Sequence, residues 1–519
     1  MQTSTTEFKI LLIDLNDNVF GHGVKSISAY LRNKGYHVAT VYLPGDGDPV
    51  FGEISSGRLQ ILHELAQSYN VIGLSILCHH MVPRAVQVTT YLKETISSPI
   101  VWGGVPIVCE PNFFLKYNNY VCLGEGEHFL HELSNRIITG KTFLDIDNLG
   151  YKTNAGEIQL NRVGKFIDLH VLPQSFFNID HCYVIEDRLI SFRESPKILE
   201  ESTSKSGYRI FPIRGCPFAC AYCTNNVLQV KYKDSGNKLR TFNLESYFQE
   251  LEHGKSFISN MKTVFSNEDD FFVRSEEEIE EFAIQYKKRI DLPLMVNATF
   301  AKMTDPKLDI LLKHGVVLKR LKIGLQSGSK KTNKEIYRRY FNADLIKERL
   351  SRLFTEKIPI VVDIISDNPF ETYSERSETA SFLYDLLKEI YYTNRTEMKR
   401  LIQLMDHKLM FYPGTELYDK ALTNKLIPDD YIEEVLFKRT TFRPDNDKNI
   451  ECLVFGVFDK AYYSFLPSKT ILKIISYPKV YCLIDTKFFS FLIPIFYKMS
   501  KKIRGFLTSG RSLYGRWER

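Results

Sequence analysis

The chain lacks a dense set of cysteines, which excludes the small disulfide-stapled folds of secreted proteins. Its nine cysteines in 519 residues are mostly single and widely spaced, whereas disulfide scaffolds concentrate theirs in an even, closely spaced framework. The sequence also begins without a basic stretch before its first apolar run, which argues against a cleaved signal peptide. We therefore expect a protein of the reducing cytoplasm.

The sequence also lacks a long apolar run near its aromatic end and a general excess of positive charge. The apolar stretch 488–497 falls well short of the roughly 20 residues that span a bilayer. Residues 498–519 hold seven Lys or Arg against one acid, so this tail accounts for the net charge of +6. Because the rest is near neutral, the charge does not imply a general nucleic-acid-binding surface, and no nucleic-acid partner is expected. The tail could rest on a membrane surface, but docking onto the rest of the protein is the simpler interpretation.

Short β-branched runs alternate with amphipathic stretches between residues 9 and 138, as in KILLID, GVKSISAYLRNKG and YHVATVYL. Strand followed by helix, repeated, predicts a parallel, doubly wound (Rossmann-like) sheet. Ligands bind such sheets beyond the carboxyl ends of the strands. The loops expected at that edge are 14–23, 75–83, 103–106 and 124–127.

The chain divides into four predicted segments, of which the first is a domain over 1–141. Residues 142–205 are predicted to be a connector with one hairpin, turning at Asn154 to Gly156, and then an irregular polar run, ESPKILEESTSKSG. Alternation of strands and helices resumes over 206–430, which predicts an open, partial (β/α)6 barrel. Residues 431–519 are expected to form a mostly helical C-terminal segment. The predicted fold class is therefore α/β.

One loop carries the strongest chemical signal in the sequence. Directly after the predicted strand YRIFPI, the sequence RGCPFACAYC places Cys216, Cys220 and Cys223 in a C-x3-C-x2-C spacing. A structural zinc site needs four ligands, and a fourth cysteine is absent nearby. A cubane cluster has four irons, so three thiolates leave one iron open to another molecule. The spacing favours an iron–sulfur cluster over zinc and over three buried core cysteines.

At these residues the sequence resembles the radical S-adenosylmethionine (SAM) superfamily, whose signature is C-x3-C-x-aromatic-C with Tyr222 as the aromatic residue here. The resemblance covers residues 206–430 and implies a 4Fe-4S cluster on the three cysteines. It also implies that the open iron binds SAM, whose reductive cleavage gives methionine and a 5′-deoxyadenosyl radical. In such enzymes the protein orients the reacting atoms while the cofactors carry the difficult bond-breaking.

Two further segments follow in the order of that family. SNEDDFF (266–272) stands where relatives end a strand with paired acids, and IGLQSGS (323–329) resembles the SAM-contacting segment. The resemblance implies SAM contacts from Gln326 and Ser327, and from Tyr222 beside the cluster. Gln326 replaces the usual acid, so it can accept a hydrogen bond but lacks the charge attraction to an ammonium group.

Two more segments extend this resemblance toward the end of the barrel. DNPFET (367–372) resembles the family's G-x-P-G-E-T turn without its glycines, and it keeps Glu371 and Thr372. FYPGTELYDKA (411–421) is close to a common distal segment of the subgroup. Each segment alone could be a plain turn, but their shared order makes coincidence improbable.

Residues 9–138 resemble the cobalamin-binding domain that precedes the radical SAM barrel in a large enzyme family. The resemblance is carried by VIGLSIL, VWGGVP and LGEGEHFLHEL, one in each of three strand-end loops. Glycines at strand ends let the backbone approach a bulky ligand closely, and a nucleotide tail would lie along that edge. The resemblance implies cobalamin contacts from Ser75, Gly103, Gly104, Gly124, Glu125 and Gly126.

The first loop lacks the histidine that ligates cobalt from below in some cobalamin domains. Their D-x-H-x-x-G pattern aligns with Asn18, Phe20 and Gly23, so a phenylalanine occupies the histidine position. His22, two residues away, is interpreted as a solvated or capping histidine. No imidazole is then expected to reach cobalt from this loop, and an unligated cobalt centre should favour homolytic methyl transfer to a carbon radical.

Three functions are compatible with these motifs. The first is a cobalamin-dependent radical SAM methyltransferase that acts through methylcobalamin on an unactivated carbon, less often phosphorus, of a specialised metabolite. The second uses the same cofactors for rearrangement, cyclisation or oxidation, and the third is a cobalamin-binding sensor without catalysis. The enzyme hypotheses imply a small-molecule substrate and a flavodoxin or ferredoxin as electron donor. Neither the substrate nor the oligomeric state follows from the sequence, and Cys452, Tyr462 and Tyr463 receive no role.

Overall fold

The computed structural model describes residues 8–439 except Asp17, Gln174, 176–178, Asp367, Tyr373, Ser377, Ala380, Tyr384 and 387–399. Apart from 431–439, the predicted helical C-terminal segment lies outside the described residues, as do the basic tail, Cys452, Tyr462 and Tyr463. The chain forms two compact units. The first comprises Met1–Ala298, Lys302–Lys319 and Phe411–Thr440, and the second comprises Thr299–Ala301, Arg320–Met410 and Thr441–Arg519.

A nine-stranded sheet forms the N-terminal part of the first unit. Its strands are β1 (Lys9–Asp14), β2 (His37–Tyr42), β3 (Val71–Ser75), β4 (Ile100–Gly103), β5 (Tyr120–Cys122), β6 (Leu149–Lys152), β7 (Ile158–Leu160), β8 (Cys182–Ile185) and β9 (Leu189–Ser191). The spatial order is β7-β6-β5-β4-β3-β1-β2-β8-β9. The central strands from β5 to β8 are parallel. The order reverses between β1 and β3, which is where such sheets bind ligands.

Helices connect the parallel strands as the alternating pattern predicts. They are α1 (His22–Asn33), α2 (Ser56–Ala66), α3 (Val82–Lys93), α4 (Val105–Cys109), α5 (Pro111–Phe114) and α6 (Gly126–Ile138). The strands form where the sequence supplies aliphatic residues without interruption, since every residue of β1 after Lys9 is buried. Parallel strands covered on both faces require such runs.

The segment predicted as a connector contributes more structure than expected. The hairpin at Asn154 to Gly156 is confirmed as the antiparallel pair β6 and β7, which extends the sheet beyond β5. A second hairpin, β8 and β9, extends the other side beyond β2. The prediction of an irregular run at 194–207 is wrong, because helix α7 (Lys197–Ser206) forms there. Its polar sequence gave no periodic signal, and packing of Leu199 and Thr203 stabilises it instead.

The first unit continues into the region after residue 206. It holds β10 (Tyr208–Ile210), β11 (Ile213–Arg214), α8 (Thr224–Lys231), β12 (Arg240–Thr241), α9 (Leu244–Phe257), β13 (Val264–Ser266), α10 (Glu276–Arg289), β14 (Leu294–Ala298) and α11 (Asp305–Lys313). Strands β10, β13 and β14 are parallel, whereas β11 and β12 form a short antiparallel ribbon. Ser275 and Glu278 begin α10 with a reciprocal capping box.

The second unit carries β15 (Leu318–Gln326) from Arg320 onward, α12 (Ala343–Thr355), β16 (Ile360–Ser366) and β17 (Ile402–Lys408). Strands β15, β16 and β17 are parallel, with a bulge between Gly324 and Gln326. Residues 411–439 return to the first unit and include α13 (Glu416–Thr423) and a π-helical turn, Ile432–Leu436. The predicted α/β fold class is confirmed, and no helix among the described residues is long and apolar enough to cross a membrane.

Candidate functional site

A cavity of about 480 Å³ opens at the carboxyl ends of β1, β3, β4 and β5. Ser75 and Gly103 are register partners where β3 and β4 end, and both line the cavity. The volume is in the range of pockets that hold a small molecule or part of a larger cofactor. The cavity is lined by all six residues predicted from the sequence to contact cobalamin, namely Ser75, Gly103, Gly104, Gly124, Glu125 and Gly126.

Two adjacent glycines shape this edge for different reasons. Gly104 has a φ of 128°, and a Cβ atom there would lie 2.0 Å from the carbonyl oxygen of Ile76. Gly104 is therefore required by the protein's own backbone. A Cβ atom on Gly103 would meet only Cys122, at 3.7 Å. The absence of a side chain at Gly103 leaves space within the cavity wall.

The first loop differs from its sequence interpretation at His22. His22 is the first residue of α1, and Gly21 occupies the N-cap position without a side-chain hydrogen bond. The His22 ring stacks on Phe211 at a centroid distance of 5.5 Å. Its Nε2 atom is buried, with no hydrogen-bond partner among the described residues. His22 is therefore half-buried in the cavity wall against Phe211, so it is only partly solvated, and Gly21 rather than His22 occupies the N-cap position.

The surroundings keep the imidazole of His22 neutral. Burial is the largest cause that lowers the pKa of His22, and the positive charges of Lys25 and Arg209 act in the same direction. Phe20, at the position of the missing histidine, is buried and packs edge-on against Tyr208 at 5.8 Å. The loop thus places an aromatic ring, and two residues later a neutral imidazole, at the cavity.

Sequence reasoning missed three charged residues of the cavity wall, Lys25, Arg214 and Glu250. Lys25 and Glu250 form a buried ion pair there. Arg214 forms ion pairs with Glu125 and Glu127, the two acids of the loop 124–127, which we call the GEGE loop. Burial raises the pKa of Glu250, which the Lys25 charge opposes. A signal was present at Lys25, since this residue falls on the buried side of an amphipathic helix. Its partner lies 225 residues further along the chain and could not be inferred from the local pattern.

The predicted cluster loop runs from β11 to α8. Gly215 turns the chain with a φ of 93°, and a Cβ atom there would lie 1.9 Å from the carbonyl oxygen of Lys238. Gln229 donates to the carbonyl oxygens of Cys216 at 2.6 Å and Phe218 at 3.0 Å. The amide of Cys223, at the N-cap of α8, donates to the Cys220 carbonyl at 3.1 Å. These backbone contacts hold the loop in a defined shape.

The three thiols differ in exposure but affect one another electrostatically. Cys220 is buried, whereas Cys216, Cys223 and Tyr222 are half-buried. Burial raises the pKa of Cys216 to about 12, and the charges of Asp269, Cys223 and Cys220 act in the same direction. Across the described residues, no three His, Cys, Asp or Glu side chains converge as they would around one metal ion. Three thiols on one loop suit a cubane, because each of three irons takes its own thiolate.

Two other segments identified in the sequence lie against this loop. Leu417, in the FYPGTELYDKA segment, donates its amide to the carbonyl of Ala221 at 3.2 Å. In the acidic segment, Glu268 pairs with Arg274 at 2.6 Å, and Asp270 accepts a hydrogen bond from the amide of Phe272. Two of the three acids, Glu268 and Asp270, therefore have structural roles. The third, Asp269, is the acid whose charge acts on Cys216.

In the second unit, Gln326 ends β15 with a φ of 68°. A Cβ atom on Gly324 would lie 2.5 Å from Gln326 Nε2, so the glutamine side chain folds back over that glycine. The hydroxyl of Ser327 is buried and lies 2.8 Å from Thr379 Oγ1, and it donates to Glu371 at 3.3 Å. The IGLQSGS and DNPFET segments therefore meet, and the Ser327 hydroxyl is used within the protein.

Two family models match the chain over these regions. The B12 binding domain matches residues 9–134, which include the loops of the cavity at the ends of β1, β3, β4 and β5. The Radical SAM superfamily matches residues 210–383, which include the cysteine loop and Gln326. The chain belongs to the radical SAM enzymes that carry a cobalamin-binding domain. Its cofactors are a 4Fe-4S cluster, SAM and cobalamin.

Solved structures with the same fold are of this kind. TsrM, a radical SAM methyltransferase from Kitasatospora setae with cobalamin and a [4Fe-4S] cluster bound, matches with a TM-score of 0.60 and 14% identity, covering 80% of this chain and 78% of that one. OxsB, a cobalamin-dependent SAM radical enzyme with aqua-cobalamin and SAM bound, matches with a TM-score of 0.64 and 17% identity, covering 96% and 76%. At sequence identities this low, the likeness shows a shared fold alone. No curated protein matches the sequence.

Proposed function

We propose that this enzyme methylates an unactivated carbon of a small specialised metabolite. The observation that carries the proposal is that one compact unit holds both the strand-end cavity and the cysteine loop, with Arg214 lining the cavity two residues before Cys216. When bound, cobalamin supplies the methyl group, and the cluster supplies the electron that cleaves SAM. The methyltransferase TsrM has been solved with a tryptophan substrate, which supports a small molecule as substrate here.

The proposed cluster ligands are Cys216, Cys220 and Cys223, one for each of three irons. Tyr222 lies between two of them and is proposed to contact the bound SAM. The six cavity residues predicted from the sequence are proposed to surround cobalamin, with its nucleotide tail in the space left open by Gly103. Gln326 is proposed to contact SAM through its amide, whereas the Ser327 hydroxyl already has partners in the protein.

Asp269 is the proposed partner of the SAM ammonium group. It supplies the negative charge that Gln326 lacks. Its neighbours Glu268 and Asp270 have structural partners, whereas the side chain of Asp269 reaches solvent. The single electron would come from a flavodoxin or ferredoxin, since the cluster must be reduced again by an external donor after each cleavage of SAM.

The product mixture tests the proposal. Reconstituted enzyme, reduced anaerobically with SAM and candidate substrates, should release S-adenosylhomocysteine together with 5′-deoxyadenosine, and mass spectrometry measures both. 5′-Deoxyadenosine with altered but unmethylated substrate would show rearrangement or oxidation instead. Cys216→Ala should abolish SAM cleavage and lose cluster iron, whereas Cys182→Ala, a buried cysteine outside the loop, should keep both. Cleavage unchanged in Cys216→Ala would disprove the ligand assignment.

A further inference from the structure

Two arginines at the base of the cysteine loop bind two acids of the GEGE loop after β5. Arg214 donates from Nη1 to Glu125 Oε1 at 2.9 Å and from Nη2 to Glu127 Oε1 at 2.5 Å. Arg240 donates from Nη2 to the same Glu125 oxygen at 2.5 Å, and from Nη1 to Glu125 Oε2 at 3.2 Å. Glu125 therefore bridges two guanidinium groups.

The strand pairing explains why a shared acid is needed. In the β11–β12 ribbon Arg214 stands directly opposite Arg240, and like charges in that position repel each other. The side chains are only 18% exposed for Arg214, 14% for Arg240 and 17% for Glu125, so solvent screens the repulsion weakly. Without Glu125, Arg240 would lose this ion pair and Arg214 would keep only its ion pair with Glu127, while the two guanidinium groups still faced each other.

Glu127 closes the network from the side of the nine-stranded sheet. Its side chain is 3% exposed and accepts a hydrogen bond from Ser26 Oγ of α1 at 2.7 Å. Ser26 Oγ in turn accepts from Arg214 Nη2 at 2.9 Å. Helices α1 and α6 are thereby joined to β11 through one guanidinium group. The Lys25–Glu250 ion pair makes a second buried connection, from α1 to α9.

A shift of Arg214 would be passed on to the cysteines. Gly215 is the only residue between Arg214 and Cys216, and the Lys238 carbonyl confines its backbone. The loop beyond is held by the bonds of Gln229. The chain therefore offers little freedom to absorb a displacement, and a misplacement of about 1 Å can cost on the order of 10²-fold in rate.

We propose that Arg214 is a positioning residue that fixes the cysteine loop against the carboxyl edge of the nine-stranded sheet, with Glu125 and Glu127 as its anchors. The proposal rests on the proposed placement of the cluster on the three cysteines and of cobalamin in the cavity. It gives the two acids of the GEGE loop a task other than contact with the cofactor. The separation of the two redox centres would be set by these ion pairs.

The separation can be measured without turnover. In reconstituted enzyme reduced to the paramagnetic cluster and cob(II)alamin, the cluster speeds the electron-spin relaxation of cobalt in a way that depends on distance. We would compare wild type with Arg214→Gln, Arg214→Lys and Glu127→Gln. Arg193→Gln is the matched control, because it removes an exposed arginine–carboxylate pair in the same unit. Iron, sulfide and cobalt analysis establishes that both cofactors are present.

The expected result is a weakened or broadened relaxation effect in Arg214→Gln and Glu127→Gln at full cofactor content. Arg214→Lys should be intermediate, since it keeps the charge but not the forked geometry, and Arg193→Gln should match wild type. Product formed per 5′-deoxyadenosine should fall on the order of 10-fold or more in the same two variants. If Arg214→Gln loses iron, the relaxation measurement on Glu127→Gln tests the proposal instead, because Glu127 is remote from the cysteine loop in sequence.

Wild-type relaxation in both Arg214→Gln and Glu127→Gln would overturn the positioning role. A failure of methylation alone would leave the relaxation measurement valid, so it would count against the proposed function and not against the role of Arg214. Wild-type enzyme that binds no cobalamin, or forms no cluster, would overturn the placement on which both depend.

Discussion

The side-chain amide of Asn225 donates a hydrogen bond to Asp269 Oδ2 at 2.9 Å. The contact joins the first turn of α8, directly after the cysteine loop, to the acidic segment after β13. Although the Asp269 side chain reaches solvent, surrounding protein atoms desolvate it and raise its pKa to about 6, against the effect of the Asn225 bond. An acid in this setting is well placed to gain from a cationic partner.

We therefore predict that Asp269→Asn weakens SAM binding on the order of 10-fold. A carboxylate attracts an ammonium group only when ionised, so the SAM affinity of the wild type should rise as the pH increases from 5 through about 6. The variant should show little of this rise. Equilibrium dialysis of reconstituted enzyme at several pH values measures both effects, with Glu281→Gln, an exposed acid on α10, as the control. A pH profile of Asp269→Asn equal to wild type would exclude Asp269 as the partner.

Filling the cavity at Gly103 should block cobalamin without disturbing the cluster. A side chain at this position enters open space, since a Cβ atom would meet only Cys122 at 3.7 Å. We expect Gly103→Leu to lower cobalamin affinity at least about 10-fold, which corresponds to about 1.4 kcal/mol. Iron content and SAM cleavage should be kept. Gly57→Leu, on the exposed face of α2, is the control for an added leucine, and normal cobalamin binding by Gly103→Leu would refute the placement.

The spectrum of cob(II)alamin should report whether His22 reaches cobalt. A nitrogen ligand splits the cobalt EPR lines through the nitrogen nucleus. We expect no such splitting in the wild type, because Phe20 aligns with the ligating histidine of other cobalamin domains and His22 stacks on Phe211. His22→Ala should give the same spectrum. A splitting present in the wild type and lost in His22→Ala would make His22 the lower ligand, and the homolytic route would lose its structural support.

Local sequence signals predicted the positions of the cavity loops and of the cysteine loop. The strand ends bearing Ser75, Gly103 and Gly124 could be placed at one edge, because aliphatic runs fix the strands and parallel strands end on the same side. The spacing of Cys216, Cys220 and Cys223 indicated a cluster because all three lie on one short loop and can therefore converge. In each case the pattern and the site occupy the same stretch of chain.

Features that depend on distant partners were not predictable from the pattern. Helix α7 has a polar sequence and is stabilised by packing of Leu199. The Lys25–Glu250 pair joins residues 225 positions apart, and the ring of His22 stacks on Phe211. Tertiary contacts decide each of these, and a local pattern carries no record of the partner.

The buried Lys25–Glu250 pair yields a prediction about stability. The Lys25 side chain is 2% exposed and that of Glu250 is 10% exposed, so removing one partner leaves the other charge buried and uncompensated. We expect Lys25→Met to lower the free energy of unfolding by about 3–5 kcal/mol. The double variant Lys25→Met with Glu250→Met should recover much of this loss, because apolar side chains of similar size need no compensating charge.

Urea unfolding followed by circular dichroism measures these differences, and Arg193→Gln provides the comparison for an exposed pair. That variant should change the free energy of unfolding little, since water already solvates both of its charges. A loss in Lys25→Met as small as in Arg193→Gln would mean that water enters the cavity wall and solvates Glu250. Recovery in the double variant would locate the penalty in the isolated charge, since both methionines leave the volume of the wall nearly unchanged.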